Sequence, residues 1–124
     1  MTEHVYVDIV RDLSAPAQAR RAVESFGERI DASIVPDVKL LVSELVTNSV
    51  KYGGDGGVQL VLRSEHPQHV HVEVVDQGEG FIPTARERPK TEAGGWGLHL
   101  VEVLTKRWGV REGSTHVWFE IDRR

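Results

Sequence analysis

The stretch Leu41-Val42-Ser43-Glu44-Leu45-Val46-Thr47-Asn48-Ser49-Val50-Lys51-Tyr52 decides how this chain is read. With Val38 just upstream, Leu41, Val42, Leu45, Val46 and Ser49 recur at the spacing of one helical stripe, and Pro36 suits the first turn of that helix. The stripe is the expected buried face. At 100° per residue, Glu44 and Asn48 stack one turn apart on its edge, where a core would meet a cleft. Thr47, Asn48 and Ser49 are three weak helix formers in succession, at positions where Ala or Leu would serve local stability better. Conflicts of that kind between local preference and fold concentrate at functional positions.

Downstream, Val70-His71-Val72-Glu73-Val74-Val75-Asp76 alternates strictly, so Val70, Val72, Val74 and Asp76 share one strand face. A carboxylate on an apolar face is costly unless donors satisfy it. The following Gln77-Gly78-Glu79-Gly80 lets the backbone turn sharply and leaves room for a ligand. A planar base offering an amino group would satisfy such a carboxylate. Farther on, Gly94-Gly95-Trp96-Gly97 precedes a second amphipathic pattern of Leu98, Val101, Leu104, Thr105 and Trp108. Those glycines therefore fall at a helix N-terminus, whose free amides suit phosphate. Lys51, three residues after Asn48, is near enough to reach the same ligand.

The rest of the chain supplies a frame. Val5, Val7 and Ile9 alternate with His4, Tyr6 and Asp8 as an opening strand fit for a sheet edge. Ser14 and Pro16 start a helix with Ala19, Ala22, Val23, Phe26 and Ile30 on its apolar side and Arg20, Arg21, Glu24 and Glu28 in solvent. The run Gly53-Gly54-Asp55-Gly56-Gly57 closes the central helix. Val58, Leu60 and Leu62 then form a strand that turns at His66-Pro67-Gln68 into the Val70–Asp76 strand as a hairpin. Residues Phe81 to Ala93 lack periodicity, contain Pro83 and Pro89, and concentrate Arg86, Arg88 and Lys90, the pattern of a lid whose cations could reach a phosphate. Trp108-Gly109-Val110-Arg111 and the Val117, Phe119, Ile121 run close the chain as a hairpin around Gly113-Ser114.

The sum is an α+β fold: a two-layer α/β sandwich with a mixed, mostly antiparallel sheet covered on one face by three helices. On the other face, Tyr6, Val10, Val61, Val75 and Trp118 beside His71 and Glu120 are more apolar than free solvation needs, which points to a partner surface or a homodimer.

With 124 residues and 40% hydrophobic content, the chain forms one compact core, read as a single domain over residues 1–124. A net charge of -4 gives no basic field, which speaks against direct nucleic-acid binding. No cysteine is present, so no disulfide framework or thiolate metal site is available. Neither a signal pattern after Met1 nor a run approaching the roughly 18 apolar residues of a membrane span occurs, and a cytoplasmic protein is expected. His69 and His71 share a strand face at chelating distance in sequence, but no third ligand accompanies them, and exposed strand histidines are the simpler reading.

The segments E-L-V-T-N (44–48), D-Q-G-E-G (76–80) and G-G-W-G-L (94–98) resemble, in order and spacing, the three nucleotide boxes of the GHKL ATPase superfamily, which includes gyrase and histidine kinases. The phrasing V-S-E-L-V-T-N-S-V-K-Y-G (42–53) and the ending G-L-H-L-V-E-V-L-T-K-R-W-G-V (97–110) are similar to the bacterial anti-sigma-factor serine/threonine kinases, and the likeness covers nearly the whole chain. It implies the histidine-kinase-like ATPase fold, with ATP and Mg2+ as cofactors. Asn48 would be the Mg2+ ligand, its amide oxygen suiting a hard cation. Glu44 would be the general base for a hydroxyl attacking the γ-phosphate.

By the same resemblance, Asp76 selects adenine, Gly78 and Gly80 shape the base pocket, and Gly95, Trp96, Gly97 and Leu98 form the phosphate box. Thr115 resembles the strand threonine that supports the aspartate through water. Tyr52 stands where the family often has His, and the lid is short. The implied function is phosphorylation of a small anti-anti-sigma protein together with sequestration of a sigma factor. The rival is a non-catalytic adenine-nucleotide-binding module that switches partners. A two-component histidine kinase is not expected, because no dimerisation helix with a phosphoacceptor histidine precedes the boxes.

Overall fold

Every alternating apolar run predicted as a strand is one. Val5, Val7 and Ile9 belong to β1 (Glu3–Ile9), Val58, Leu60 and Leu62 to β2 (Val58–His66), and Val70, Val72 and Val74 to β3 (His69–Asp76). β4 spans Arg107–Val110, and β5 spans Val117–Asp122. The computed structural model describes residues 3–52, 57–76, 100–110 and 116–122, and of Glu3, Tyr52 and Asp76 only the backbone. Among the described residues the strand order is β1-β2-β3-β5-β4, and all four pairings are antiparallel. β1 lies at one edge, and β2 and β3 form the expected hairpin.

Two long helices cover one face. α1 (Ala15–Phe26) buries Ala15, Ala19, Val23 and Phe26. Ser14 stands at its N-cap without a side-chain capping bond, because its hydroxyl donates to Asp12 instead. A 3-10 turn, Gly27–Arg29, and buried Ile30 lead towards α2 (Val35–Tyr52). Arg20 departs from its expected place in solvent: it is half-buried and donates to Ser43 Oγ of α2 at 2.9 Å. A charged side chain that bridges two packed helices covers their seam with its aliphatic stem.

Residues 100–104 are helical and are labelled α3, with Val101 fully buried. Trp108, which fits the helical period and also opens the expected closing strand, belongs to β4. The helix stops at Thr105, whose N–H and hydroxyl both donate to the Val101 carbonyl, and Lys106 N–H already donates to Glu120 of β5 at 2.8 Å. The sheet captures the chain before another turn can form.

Between the layers, Val38, Leu41, Val42 and Val46 of α2 meet Leu60, Leu62, Val70, Val72, Phe119 and Ile121, all fully buried. Each such side chain contributes about 1.5–3 kcal/mol relative to exposure. The stripe read from the sequence is therefore the core face of α2.

Candidate functional site

The last third of α2 breaks the apolar pattern. Leu45 and Val46 are buried, yet so are the neighbouring Asn48, at 1% exposure, and Ser49, at 2%. Glu44, one turn before Asn48, is half-buried at the helix edge. Asn48 thus sits deeper than the stripe edge predicted, because α2 packs against both α1 and β3 and this side of the helix is drawn inward.

Thr47 Oγ donates to the Ser43 carbonyl at 2.7 Å, and Ser43 Oγ accepts from Arg20. Ser49 is held by Arg11 of the β1–α1 loop, whose Nη1 donates to the Ser49 carbonyl and, at 3.1 Å, lies against Ser49 Oγ. The polar residues of α2 are therefore tied to α1 and to the loop that precedes it.

Asn48 Oδ1 is a buried oxygen with no hydrogen-bond donor among the described residues, although Asn48 keeps other contacts. A carboxamide oxygen is an electron-pair donor that fits a hard cation, which takes oxygen ligands and retains water and phosphate for the rest of its shell. Lys51, one turn on, is exposed.

Asp76 ends β3, its backbone paired with Val58. Six peptide steps separate Val58 from Tyr52, a reach of at most roughly 20 Å. The register row Ile9–Val58–Asp76, with Arg11 two residues after Ile9 bonded to Ser49, places the Asp76 backbone at the end of the sheet nearest the last turn of α2. The side chain of Asp76 lies outside the described residues, as do Gly78, Gly80, Gly95, Trp96, Gly97, Leu98, Thr115 and the segment 81–93 with Arg86, Arg88 and Lys90.

A groove of about 380 Å³ lined by Glu24, Gly27, Glu28, Ala32, Val35 and Pro36 lies at the opposite end of α2. Asn48 stands more than three turns beyond Pro36, roughly 18 Å along the axis. The groove and the Glu44–Asn48 pair are separate features.

A second polar cluster lies on the open face of the sheet. His71 Nδ1 is 2.8 Å from Glu120 Oε2 and His71 Nε2 is 2.8 Å from Glu73 Oε2. Glu73 also pairs with His116, and Arg107 donates to Glu120, so the charges form one chain across β4, β5 and β3. Burial pushes the Glu73 carboxyl up, but the hydrogen bonds from His71 and His116 and their charge outweigh it, and its pKa lies below the ordinary value. Glu120 follows the same logic, with burial opposed and overcome by His71 and Arg107.

Trp118 stacks on His71 with centroids 5.8 Å apart. Its indole crosses Gly109 so closely that a Cβ there would lie 2.9 Å from Nε1, which is why glycine stands at that point of β4. Reading the sequence placed His71, Glu120 and Trp118 on this face but missed their network, and it missed Arg11 and Ser43. Alternation assigns a face; only the β3–β5 register, with His71 opposite Glu120, pairs the charges. No sequence signal joins Arg11 to Ser49.

A family model described as the histidine kinase-like ATPase domain matches residues 9–121. An anti-sigma F factor of Clostridium acetobutylicum is 33% identical over 95 residues, 68% of this chain and 66% of that protein. One from Clostridium botulinum (strain Eklund 17B / Type B) is 36% identical over 100 residues, 71% of this chain and 70% of its own length.

Among solved structures, the RsbU and RsbW domains of Rv1364c from Mycobacterium tuberculosis superpose with a TM-score of 0.68 at 18% identity, over 98% of this chain and 32% of that one. The histidine kinase AdeS of Acinetobacter baumannii superposes at 0.53 and 16% identity, over 95% of this chain and 67% of that one. These two establish the shared fold. A domain of this kind implies ATP binding, and the matched span contains Glu44, Asn48 and Asp76. The chain belongs to the histidine kinase-like ATPase family, on the branch of the anti-sigma factors.

Proposed function

We propose that this protein is an ATP-dependent serine/threonine kinase of the anti-sigma type, acting in the cytoplasm. It would phosphorylate a small anti-anti-sigma protein and otherwise hold a sigma factor out of use. The observation that carries the reading is the buried Asn48 stacked one turn from the half-buried Glu44 inside a matched ATPase domain. The curated relatives named anti-sigma F factor support the choice of partners.

In this reading Asn48 Oδ1 holds Mg2+, which when bound neutralises phosphate charge. The Glu44 carboxylate, at the rim of the same helix, takes the proton of the acceptor hydroxyl. The Asp76 carboxylate would accept a hydrogen of the adenine amino group, with Gly78 and Gly80 assigned to the base pocket by the same resemblance. By the family resemblance, Gly95, Trp96, Gly97 and Leu98 would supply the phosphate box, Lys51, Arg86, Arg88 and Lys90 are the candidate cations for the phosphates, and Thr115 would support Asp76.

Labelled ATP with candidate antagonist proteins tests the reading. Glu44→Ala abolishes phosphate transfer while nucleotide binding persists. Asp76→Asn turns an acceptor into a donor against the base and lowers ATP affinity by about 10- to 100-fold. Tight ATP binding with no transfer to any antagonist makes the protein a nucleotide-controlled binding module instead. Absence of heat on titrating ATP with Mg2+ into the wild type overturns both readings.

A further inference from the structure

The β1–α1 loop is built to deliver one guanidinium to the end of α2. Asp12 N–H donates to the Val10 carbonyl at 2.9 Å, and Asp12 Oδ1 accepts from both the N–H and the hydroxyl of Ser14, at 2.7 and 2.5 Å. Those two bonds hold the Asp12 carboxyl below its ordinary pKa. Gln18, one turn into α1, locks the loop from behind: its Nε2 donates to Ser14 Oγ at 2.8 Å and its Oε1 accepts from Val10 N–H at 3.4 Å. Arg11 sits within this frame, half-buried, and reaches across to Ser49.

Ser49 is the residue after Asn48 and lies in the last turn of α2, where carbonyls have no donor within the helix. Arg11 supplies that donor at the Ser49 carbonyl and also contacts the Ser49 hydroxyl, which is itself buried. A cation at a helix C-terminus is further favoured by the helix dipole. The turn so clamped contains weak helix formers that would fray without an external partner.

We propose that Arg11 is a positioning residue for the nucleotide site: by pinning Ser49, it fixes the last turn of α2 and so the direction in which Asn48 presents its carboxamide oxygen. The inference rests on the Mg2+-ATP site proposed above. Arg11 touches no substrate in this scheme. It acts through Ser49, as outer partners orient metal ligands elsewhere, where their loss costs about 10- to 100-fold in affinity.

The test compares wild type, Arg11→Met, Arg11→Lys and Ser49→Ala by calorimetry with ATP in the presence and absence of Mg2+. It adds the NMR signal of the Asn48 side-chain amide without nucleotide. Arg11→Met is expected to lose about 10-fold in Mg2+-ATP affinity, with little change in Mg2+-free binding, and to shift the Asn48 amide signal. Arg11→Lys, which keeps a cationic donor, restores most of both. Ser49→Ala, which keeps the carbonyl contact, shows a loss of about 2- to 3-fold and a smaller shift.

Equal losses with and without Mg2+, or an unmoved Asn48 signal in Arg11→Met, overturn the proposal. If Arg11→Met does not fold, a Ser49→Ala protein with wild-type Mg2+ dependence and an unmoved signal overturns it equally. A wild type that binds no ATP defeats the nucleotide site, whereas the Asn48 signal still decides whether Arg11 positions that residue.

Discussion

The same strands build two unlike faces. Where α1 and α2 cover the sheet, Leu60, Leu62, Val70, Val72, Phe119 and Ile121 are closed from solvent by other apolar side chains. On the open face the alternate residues of β3 and β5 are His71, Glu73, Trp118 and Glu120, and His71 and Glu120 are nearly as hidden, at 8% and 7% exposure. One face is held by area removed from water, which is additive and undirected. The other is held by hydrogen-bonded charges that must all be present in the right register. Change is therefore tolerated unequally: the covered face accepts apolar volume of about the right size, whereas loss of any one of His71, Glu73 or Glu120 strands a hydrogen-bonded partner.

The largest effect belongs to the covered face. Phe119→Ala removes a fully buried ring at the centre of β5 and is expected to cost about 3–5 kcal/mol of stability, read by denaturant unfolding. A loss under about 1 kcal/mol would mean that the layer collapses to fill the space, and the contrast between the faces would fail.

A smaller, pH-dependent effect marks the open face. Glu120→Gln keeps the side-chain shape but removes the charge facing His71 and Arg107, and is expected to cost about 1–2 kcal/mol at pH 7. The folded pKa of Glu73 and of Glu120 is depressed, so the unfolded chain binds more protons as acid is added. Their contribution is complete above the unfolded glutamate pKa, about 4.3–4.5, and is lost as pH falls through the lower folded values. Thermal melts from pH 6 to 3 should therefore steepen on the acid side in the wild type and flatten in a Glu73→Gln, Glu120→Gln double variant. Parallel curves would remove the network from the account of stability.

The contrast also explains what could be read from the sequence. Period-two alternation in Val58–Leu62, Val70–Val74 and Val117–Ile121 and the helical stripe through Val38–Val46 report burial directly, so the covered face, the hairpins and the two-layer architecture were legible. The position of Glu44 and Asn48 was legible because their spacing is local to one helix. Partners across the sheet were not. His71 meets Glu120 through a pairing between residues 49 apart, and Arg11 meets Ser49 across 38, neither of which leaves a periodic trace. Trp108 fitted both the helical pattern and the closing strand, because a 3.6-residue period cannot announce the hydrogen bond from Lys106 to Glu120 that ends the helix.

The smallest expected effect tests whether the polar turn of α2 belongs to stability or to the site. Thr47 is half-buried, and its hydroxyl donates back to the Ser43 carbonyl at 2.7 Å, an arrangement that is neutral to mildly unfavourable for a helix. Alanine removes the branched side chain's entropic penalty and the back-bond together, so Thr47→Ala should raise stability by about 0.5 kcal/mol, a shift of a few degrees at most in the melt. On the covered side of the sheet, where packing is apolar, a residue whose removal stabilises is retained for something other than the core. A drop in stability of 1 kcal/mol or more would instead make Thr47 part of the packing, and the polar turn would then be an extension of the fold rather than an exception to it.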